Sequence, residues 1–331
     1  MIELKDLERD LLNSFKLSIL NFTLKCEDEI NLPIYKGSTL RGGFGKILWK
    51  IICTKKDIDC DNCINKYTCI YSQIFKTPNP LNSKIFSKIK YIPHPFIIEP
   101  PLEIDKLYSK GDEIKFKLIL FGNIINFYHY FIIAFEELGK NGIGKGKGHF
   151  KLKHVIDEIN NSILIDENKN SFLPDSPNLL PLSNLYDEFL SQINLNEIKL
   201  NFITPTRIVY NGKLIDDLPF HIFIKNLIRR IWLILYFHHK IDFPLDYKEL
   251  IDSSLNVDIK NKNLYWYDWE RYSSTQNTKI KLGGFKGVIT YTGDLKKFLP
   301  LIFIGSYIHI GKQTSFGLGK YEIIKEVENG K

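Results

Sequence analysis

The feature that most constrains the fold of this chain is an internal repeat. In each half, a strand-like segment precedes a helix-like one, two more strand-like segments follow, and a second helix leads through a glycine-rich loop into a last strand. The loops are GKNGIGKGKG at residues 139–148 and GKQTSFGLG at residues 311–319. Such self-similarity predicts two copies of one unit. An antiparallel sheet with two helices on one face, an α+β sandwich, satisfies this order twice.

The hydrophobic periodicity gives approximate bounds for these elements. In the first half it predicts strands at 14–25, 96–99, 113–121 and 149–155 and helices at 37–52 and 124–138. In the second half it predicts a strand at 198–210, a helix at 219–238, an aromatic hairpin at 264–292, a helix at 295–309 and a strand at 321–327. At 331 residues, two domains are expected. We predict an N-terminal domain at 1–156, a linker with peripheral structure at 157–197 and a C-terminal domain at 198–331.

Charge and composition favour a polyanionic partner and exclude a membrane span. The formal net charge is +7 and 13% of the residues are aromatic. Lysine and arginine displace counterions from phosphates, so this balance suits nucleic acid. The most apolar run, 222–237, is interrupted by Lys225, Asn226, Arg229 and Arg230, which argues against a membrane helix. The first residues lack a secretory pattern, and we expect a cytoplasmic protein.

The glycine-rich loops predict contact with phosphates. Closely spaced glycines let backbone N–H groups approach an anion, and lysines add charge. The predicted contacts are Lys145 and Lys147 in the first loop and Lys312, Gly317 and Gly319 in the second. Neither loop fits a nucleotide-binding fingerprint. A flexible turn explains one such loop, but two basic loops at matching places favour RNA binding.

Four cysteines predict a metal site. Cys53, Cys60, Cys63 and Cys69 have the spacing C-x6-C-x2-C-x5-C. The central pair can chelate one ion, and the outer pair can complete a tetrahedral, structural zinc site. An iron–sulfur cluster uses the same ligands, and unliganded thiols or disulfides are further alternatives. A reducing compartment favours the metal.

Motifs in both halves carry a resemblance to a known family. GFKGVITYTGD (284–294) and HIGKQTSFGLGKYEI (309–323), with YKGSTLRGGFGKILWKIIC (35–53), the cysteines and CIYSQIFKTPNP (69–80), resemble the CRISPR-associated RAMP superfamily. Within it, they resemble a four-cysteine branch of the sixth Cas family, the repeat-RNA-processing endoribonucleases. The resemblance implies tandem ferredoxin-like domains, CRISPR repeat RNA as the substrate, and cleavage without a catalytic metal or other cofactor.

Metal-independent cleavage needs three catalytic functions. A base activates the RNA 2′-OH, an acid protonates the leaving 5′-oxygen, and cations stabilise the phosphate. The products would be a 2′,3′-cyclic phosphate and a 5′-OH. The resemblance implies a histidine directly after R-G-x-F-G, where this chain has Lys46. We take Lys46, Tyr35 and His309 as the candidate catalytic residues. A solvated helix lysine, and a histidine that favours the helix dipole, are the alternatives for Lys46 and His309.

Further cationic residues and aromatic residues complete the predicted RNA contacts. The additional candidates are Lys36, Arg41, His149, Arg229, Arg271 and Lys286. In the aromatic hairpin, rings can stack on unpaired bases while cations hold phosphates. Two other functions remain open: a non-catalytic RNA-binding RAMP subunit of a CRISPR effector complex, and a zinc-stabilised interaction module unrelated to RNA. Repeat RNA and other CRISPR-associated proteins are the expected partners.

Overall fold

The computed structural model describes residues 4–79, 89, 92–167, 174, 176–273 and 278–325, without the side chains of 4–7 and 270–281. The chain divides into two compact units. The N-terminal unit comprises Lys16–Leu180 and Tyr236–Lys240, and the C-terminal unit comprises Met1–Phe15, Pro181–Leu235 and Ile241–Lys331. Within the described ranges, no helix has the length and apolar character needed to cross a membrane.

The secondary structure is mixed. The described α-helices are α1 Leu4–Ser14, α2 Gly37–Ile52, α3 Ile70–Phe75, α4 Tyr128–Asn141, α5 Leu182–Leu190, α6 Phe220–Ile234, α7 Tyr247–Ser254 and α8 Leu299–Ile308. The described strands are β1 Leu17–Cys26, β2 Ile30–Asn31, β3 Phe96–Glu99, β4 Leu107–Tyr108, β5 Glu113–Phe121, β6 Phe150–Asp157, β7 Ile163–Asp166, β8 Glu197–Thr206, β9 Ile208–Tyr210, β10 Lys213–Ile215, β11 Asp258–Tyr267, β12 Glu270–Ser273, β13 Thr278–Lys281, β14 Gly284–Thr292 and β15 Tyr321–Ile324.

The N-terminal unit is a β1-α2-β3-β5-α4-β6 sandwich. Its sheet has the order β3-β5-β1-β6-β7, and the pairings are antiparallel. Phenylalanines join the sheet to the two helices: the ring of Phe22 in β1 lies 5.3 Å from that of Phe135 in α4, and the ring of Phe44 in α2 lies 5.7 Å from that of Phe96 in β3. A central β1 flanked by β5 and β6 is the arrangement of a ferredoxin-like domain.

The C-terminal unit repeats this topology. The order is β8-α6-β11-β14-α8-β15, and the sheet has the order β11-β14-β8-β15. Phe223 of α6 stacks on Tyr291 of β14 at 5.9 Å and meets Phe202 of β8 at 6.3 Å. Both units are therefore ferredoxin-like with antiparallel sheets, which confirms the predicted fold class.

Several predicted elements match closely, and others differ in their ends. Helix α2 and strand β3 have the predicted bounds. The N-cap residue of α2 is Lys36, and no side chain makes the cap hydrogen bond. The helix predicted at 124–138 begins as a 3-10 segment, Gly122–Phe127, before α4. In the predicted strand 321–327, residues 326 and 327 lie outside the described part of the chain.

The boundaries of the units also differ from the predicted ones. Helix α1 belongs to the C-terminal unit, where Arg9 pairs with Asp187 of α5 at 3.2 Å. The predicted linker at 157–197 contains β7, which pairs with β6 and extends the N-terminal sheet. Tyr236–Lys240 returns to the N-terminal unit, where His238 Nε2 donates to the Pro93 carbonyl at 2.7 Å. The unit to which such a segment belongs depends on tertiary contacts, and hydrophobic periodicity does not encode them.

Candidate nucleic-acid interface

The segment leading into α2 is fastened by a buried lysine. Lys36 is fully buried, and its ammonium donates to the carbonyl oxygens of Glu103 at 2.6 Å and Ile34 at 3.3 Å. Burial lowers the pKa of Lys36, while the charges of Glu103 and Asp105 oppose this shift. A buried ammonium needs such partners. In this conformation Lys36 faces the protein, and contact with RNA would require it to leave both carbonyls.

Tyr35 precedes that lysine and is half-buried. Desolvation raises the pKa of its phenol well above the usual value, and the charge of Glu99 adds to the shift. The phenol therefore stays protonated near neutral pH. Its chemistry suits a hydrogen-bond donor to a phosphate oxygen, and it does not suit a general base.

The exposed face of α2 carries Lys46. A Cβ atom on Gly43 would lie 2.9 Å from Leu138, and one on Gly45 would lie 2.8 Å from Phe75, whereas a Cβ on Gly42 would meet open space. Packing therefore explains Gly43 and Gly45 but not Gly42, which is exposed one turn before the exposed Lys46. Glycine weakens a helix, so an open glycine beside a lysine marks a face that a ligand backbone can approach.

Arg41, on the first turns of α2, is half-buried and held from two sides. Its guanidinium carbon lies 4.6 Å from the ring centroid of Phe75, and its Nη2 lies 2.8 Å from Nε2 of His94. His94 is not among the residues that the sequence predicts for this site. No spacing signal connects it to Arg41, because the two are 53 residues apart and only the packing of α2 beside β3 brings them together.

The first glycine-rich loop, residues 139–148, lies beside the segment that leads into α2. The backbone N–H of Lys145 donates to the Asn31 carbonyl at 2.9 Å. The side chains of Lys145 and Lys147 are exposed. His149 follows the loop, and its Nδ1 lies 2.5 Å from the Asp28 carboxylate. This contact lowers the pKa of Asp28. Tyr35, Arg41, Lys145, Lys147 and His149 thus belong to one unit, with the loop adjoining the start of α2.

The second glycine-rich loop, residues 311–319, is turned inward. His309 is fully buried, and its Nδ1 lies 3.1 Å from the Leu318 carbonyl. Gly317 and Gly319 are also buried, and only Lys312 of the predicted contacts is exposed. In this conformation the His309 ring faces the protein, and proton transfer to RNA would require the loop to open.

A buried arginine supports the base of that loop. Arg230 Nε donates to the Ile308 carbonyl at 2.8 Å, and burial lowers the pKa of Arg230 to about 9. The neighbouring Arg229 is exposed. Of this pair, Arg229 alone presents its charge to solvent on the surface of α6.

The open face of the C-terminal sheet, opposite the helices, carries a lysine between two tyrosines. Lys286 Nζ lies 5.2 Å from the ring centroid of Tyr267, and Tyr265, which pairs with Lys286 in the sheet, is 53% exposed. Arg229 is on α6, which packs against the other face, so Arg229 and Lys286 do not converge. The side chain of Arg271 lies outside the described residues.

The open face of the N-terminal sheet has its charges balanced. Its lysine–glutamate pairs are Lys25–Glu167 at 3.4 Å, Lys117–Glu158 at 2.6 Å, Lys151–Glu27 at 2.5 Å and Lys153–Glu113 at 2.7 Å. The hydrogen bonds from Lys153 and Lys115 lower the pKa of Glu113 to about 2. Lys115 also pairs with Glu113, at 3.0 Å. Because these lysines already have carboxylate partners, this face is a poor match for phosphates.

The structure does not support the zinc site predicted at the cysteine cluster. The four thiols are half-buried, and none forms a disulfide. Among the described residues, which include all four cysteines, no three or more His, Cys, Asp or Glu side chains are arranged to hold a metal ion. Burial, followed by the charge of Asp59, raises the pKa of Cys60, and the charges of Cys53 and Cys69 add to this shift. The zinc prediction and the iron–sulfur alternative are therefore not supported.

Each half of the chain matches a known family model. Residues 200–321 match the family model of the CRISPR-associated endoribonuclease Cas6. Residues 15–176 match a model described as an N-terminal domain. An uncharacterized protein of Archaeoglobus fulgidus is 22% identical over 314 residues, which cover 89% of this chain and 93% of that protein.

Solved structures share the fold. A Cas6 product complex has a TM-score of 0.56 at 14% identity and covers 93% of this chain and 100% of that one. Thermus thermophilus Cas6 has a TM-score of 0.51 at 13% identity, covering 94% and 99%.

A partial Cas6-RT-Cas1–Cas2 complex has a TM-score of 0.59 at 15% identity, and the match covers 97% of this chain. This chain spans 48% of the matched chain there and 30% in the full complex. The C-terminal half of the chain therefore matches the family model of the CRISPR-associated endoribonuclease Cas6, and the two ferredoxin-like units share the fold of solved Cas6 structures.

Proposed function

We propose that this protein cuts CRISPR repeat transcripts into guide units by attack of the RNA 2′-OH, without a catalytic metal. The single observation that carries the proposal is the match of residues 200–321 to the Cas6 family model. The exposed Lys46 on α2 and the exposed lysines of the first glycine-rich loop supply the cationic surface that such a substrate needs. The protein would act in the cytoplasm, where these transcripts are made.

The reaction would take place at the start of α2. Tyr35 keeps its proton and can donate a hydrogen bond to a phosphate oxygen. Lys46, exposed on the same helix, stabilises the charge that develops on the phosphate, and the open surface at Gly42 lets the RNA backbone come close. Preorganised donors of this kind account for large rate effects in other enzymes. His309 would act from its buried position by holding the second loop, unless that loop opens.

RNA outside the cut site would be held by two further surfaces. Lys145 and Lys147 are exposed in the first loop, where they can bind phosphates. On the C-terminal sheet, Tyr265 and Tyr267 can stack on unpaired bases while Lys286 holds a phosphate. Arg229, Arg271 and Lys312 are further candidate contacts. Other CRISPR-associated proteins are candidate partners, supported by the likeness to the chain of the Cas6-RT-Cas1–Cas2 complex.

A cleavage assay tests this function. The probe is a synthetic RNA that carries the CRISPR repeat of the source genome, incubated with the protein in excess EDTA. The proposal expects one cut, a 2′,3′-cyclic phosphate and a 5′-OH, and no cut when the nucleotide before the scissile phosphate is 2′-deoxy. Cutting that requires added metal, or that persists on the deoxy RNA, contradicts it.

One observation favours a second candidate, a non-catalytic RNA-binding RAMP subunit. Lys46 occupies the place where the family resemblance implies a histidine, and His309 is buried. Tight, salt-sensitive binding of the same RNA without any cut would support this second function.

A further inference from the structure

His94 and Arg41 form a contact that none of the preceding roles explains. Arginine side chains have N–H donors and no acceptor, so in the 2.8 Å contact between Arg41 Nη2 and His94 Nε2 the imidazole nitrogen must accept. The His94 ring is therefore unprotonated at Nε2. This contact orients the guanidinium. Because the imidazole is neutral at this contact, it brings no negative charge next to the guanidinium, whereas a carboxylate in the same place would.

The His94 ring is itself fixed by its surroundings. It stacks on Phe96 at 5.7 Å with an interplanar angle of 22° and meets Phe75 at 5.7 Å. On either side, the Pro93 carbonyl accepts from His238 Nε2 at 2.7 Å, and the Pro95 carbonyl accepts from the Phe121 backbone N–H at 2.9 Å. A ring packed and anchored in this way presents its lone pair in one direction.

Phe75 completes the arrangement. The Arg41 guanidinium carbon lies 4.6 Å from the Phe75 ring centroid, and Phe75 also contacts the His94 ring. Arginine has many rotamers, and ordering such a side chain on binding lowers the affinity for a ligand. An arginine that is already stacked on a ring and hydrogen-bonded at one nitrogen binds a phosphate with less loss of side-chain freedom.

We infer that His94 is a positioning residue, whose neutral imidazole holds the Arg41 guanidinium over Phe75 in the orientation that binds an RNA phosphate. The inference rests on the proposed function, since it assigns to the RNA the phosphate that Arg41 binds. His94 touches Arg41 and does not touch the reacting atoms. The ligand class is a nucleic-acid phosphodiester beside the start of α2.

A double-mutant cycle with two His94 variants tests this role. His94→Leu keeps an apolar side chain but removes the acceptor, and His94→Gln restores an acceptor near the position of Nε2. Single-turnover cleavage and filter binding of the repeat RNA are measured for both variants, for Arg41→Gln and for His94→Leu with Arg41→Gln. His129→Leu is the matched control, because His129 is also half-buried and packs on an aromatic ring, Tyr130, at 4.6 Å.

The expected pattern is a coupled loss. His94→Leu should weaken binding or slow cleavage about tenfold, the size of a lost hydrogen bond to a charged group. His94→Gln should recover most of the lost binding or cleavage. In the Arg41→Gln background, His94→Leu should cause no further loss. Three results would overturn the inference. The first is wild-type binding and cleavage by His94→Leu, and the second is an equal loss of binding or cleavage in His94→Leu and His94→Gln. The third is a loss in the double variant that equals the sum of the losses in His94→Leu and Arg41→Gln. If the wild-type protein binds but does not cut the RNA, the proposed function fails, and the binding constants alone still decide the role of His94.

Discussion

The two glycine-rich loops hold equivalent places in the repeat, but they differ in how much of each loop is exposed to solvent. In the N-terminal loop, Lys145 and Lys147 point to solvent, and a Cβ on Gly146 would meet nothing within 4 Å. In the C-terminal loop, residues 314–319 are buried, and a Cβ on Gly319 would overlap the Ile310 carbonyl oxygen. One sequence pattern thus serves an exposed basic loop in one unit and a tightly packed turn in the other.

The contrast changes what the glycines mean. In the C-terminal loop they permit backbone to pack on backbone, and the buried His309 and Arg230 fill the space around the turn. In the N-terminal loop, Gly142, Gly144 and Gly148 likewise pack on backbone, and Gly146 is the loop glycine with open space, between Lys145 and Lys147. The equivalence of the loops in the sequence therefore does not extend to an equivalent role in binding RNA.

Glycine-to-alanine substitutions give the largest expected difference between the loops. Gly319 has φ +75° and no room for a Cβ, so Gly319→Ala should lower the free energy of unfolding by about 3 kcal/mol or more. Gly146 has φ +92° but open space. Gly146→Ala should therefore lower the free energy of unfolding by only about 1 kcal/mol, which is the cost of placing alanine at a positive φ. Denaturant unfolding followed by circular dichroism measures both, and equal losses would remove the contrast.

The lysines should differ in their effect on RNA. Replacing Lys145 and Lys147 by Gln should weaken repeat-RNA binding about tenfold and reduce the slope of log K against log salt by roughly 0.7 per lost contact. Lys151→Gln with Lys153→Gln is the matched control, because those lysines are already paired with Glu27 and Glu113. A larger effect from the control pair would mean that RNA lies on the N-terminal sheet instead.

Helix α2 contains the same contrast on a smaller scale. Gly42→Ala should stabilise the fold by up to about 1 kcal/mol, because alanine favours a helix and the site is open. The same change should weaken repeat-RNA binding severalfold if RNA crosses this face. Gly43→Ala should instead destabilise the fold, since its Cβ meets Leu138 at 2.9 Å. Thermal unfolding and filter binding are measured for both variants. Unchanged RNA binding by Gly42→Ala would show that RNA does not cross this face of α2.

The smallest expected effect concerns the pair that follows the exposed loop. The His149 contact lowers the pKa of the Asp28 carboxyl. A depressed carboxyl pKa contributes stability above the unfolded pKa, and this contribution is lost as the pH falls through the folded value. A carboxyl-resolved NMR titration should give a pKa for Asp28 below 3.8, and His149→Ala should raise it. An unchanged titration in the variant would show that the pair does not form in solution.

Much of the fold could be predicted from the sequence. The long periodic segments gave α2, β3 and the βαββαβ order of both halves, because amphipathic periodicity reflects burial directly. The predicted ends of the elements were less accurate. An example is the 3-10 segment before α4, because local backbone geometry decides where a 3-10 segment becomes an α-helix. Helix α1 could be assigned to its unit only from contacts such as Arg9 with Asp187.

The candidate site was predictable only in part. The exposed Lys46, Lys145 and Lys147 followed from residue type and position. The burial of Lys36 and His309 could not, because it depends on carbonyls brought from elsewhere in the chain. His94 was missed for the same reason, and the cysteine spacing predicted ligands that the fold does not arrange around a metal.

Single-turnover cleavage by Lys46→Ala is the most direct test of the claim that the exposed face of α2 carries the reaction. Lys50→Ala is the control, because Lys50 lies one turn further along the same exposed face. With repeat RNA bound at saturation in EDTA, Lys46→Ala should cut about a hundredfold more slowly, the usual effect of losing one group that stabilises the transition state, while Lys50→Ala cuts at the wild-type rate. Cleavage by Lys46→Ala at the wild-type rate would contradict the account.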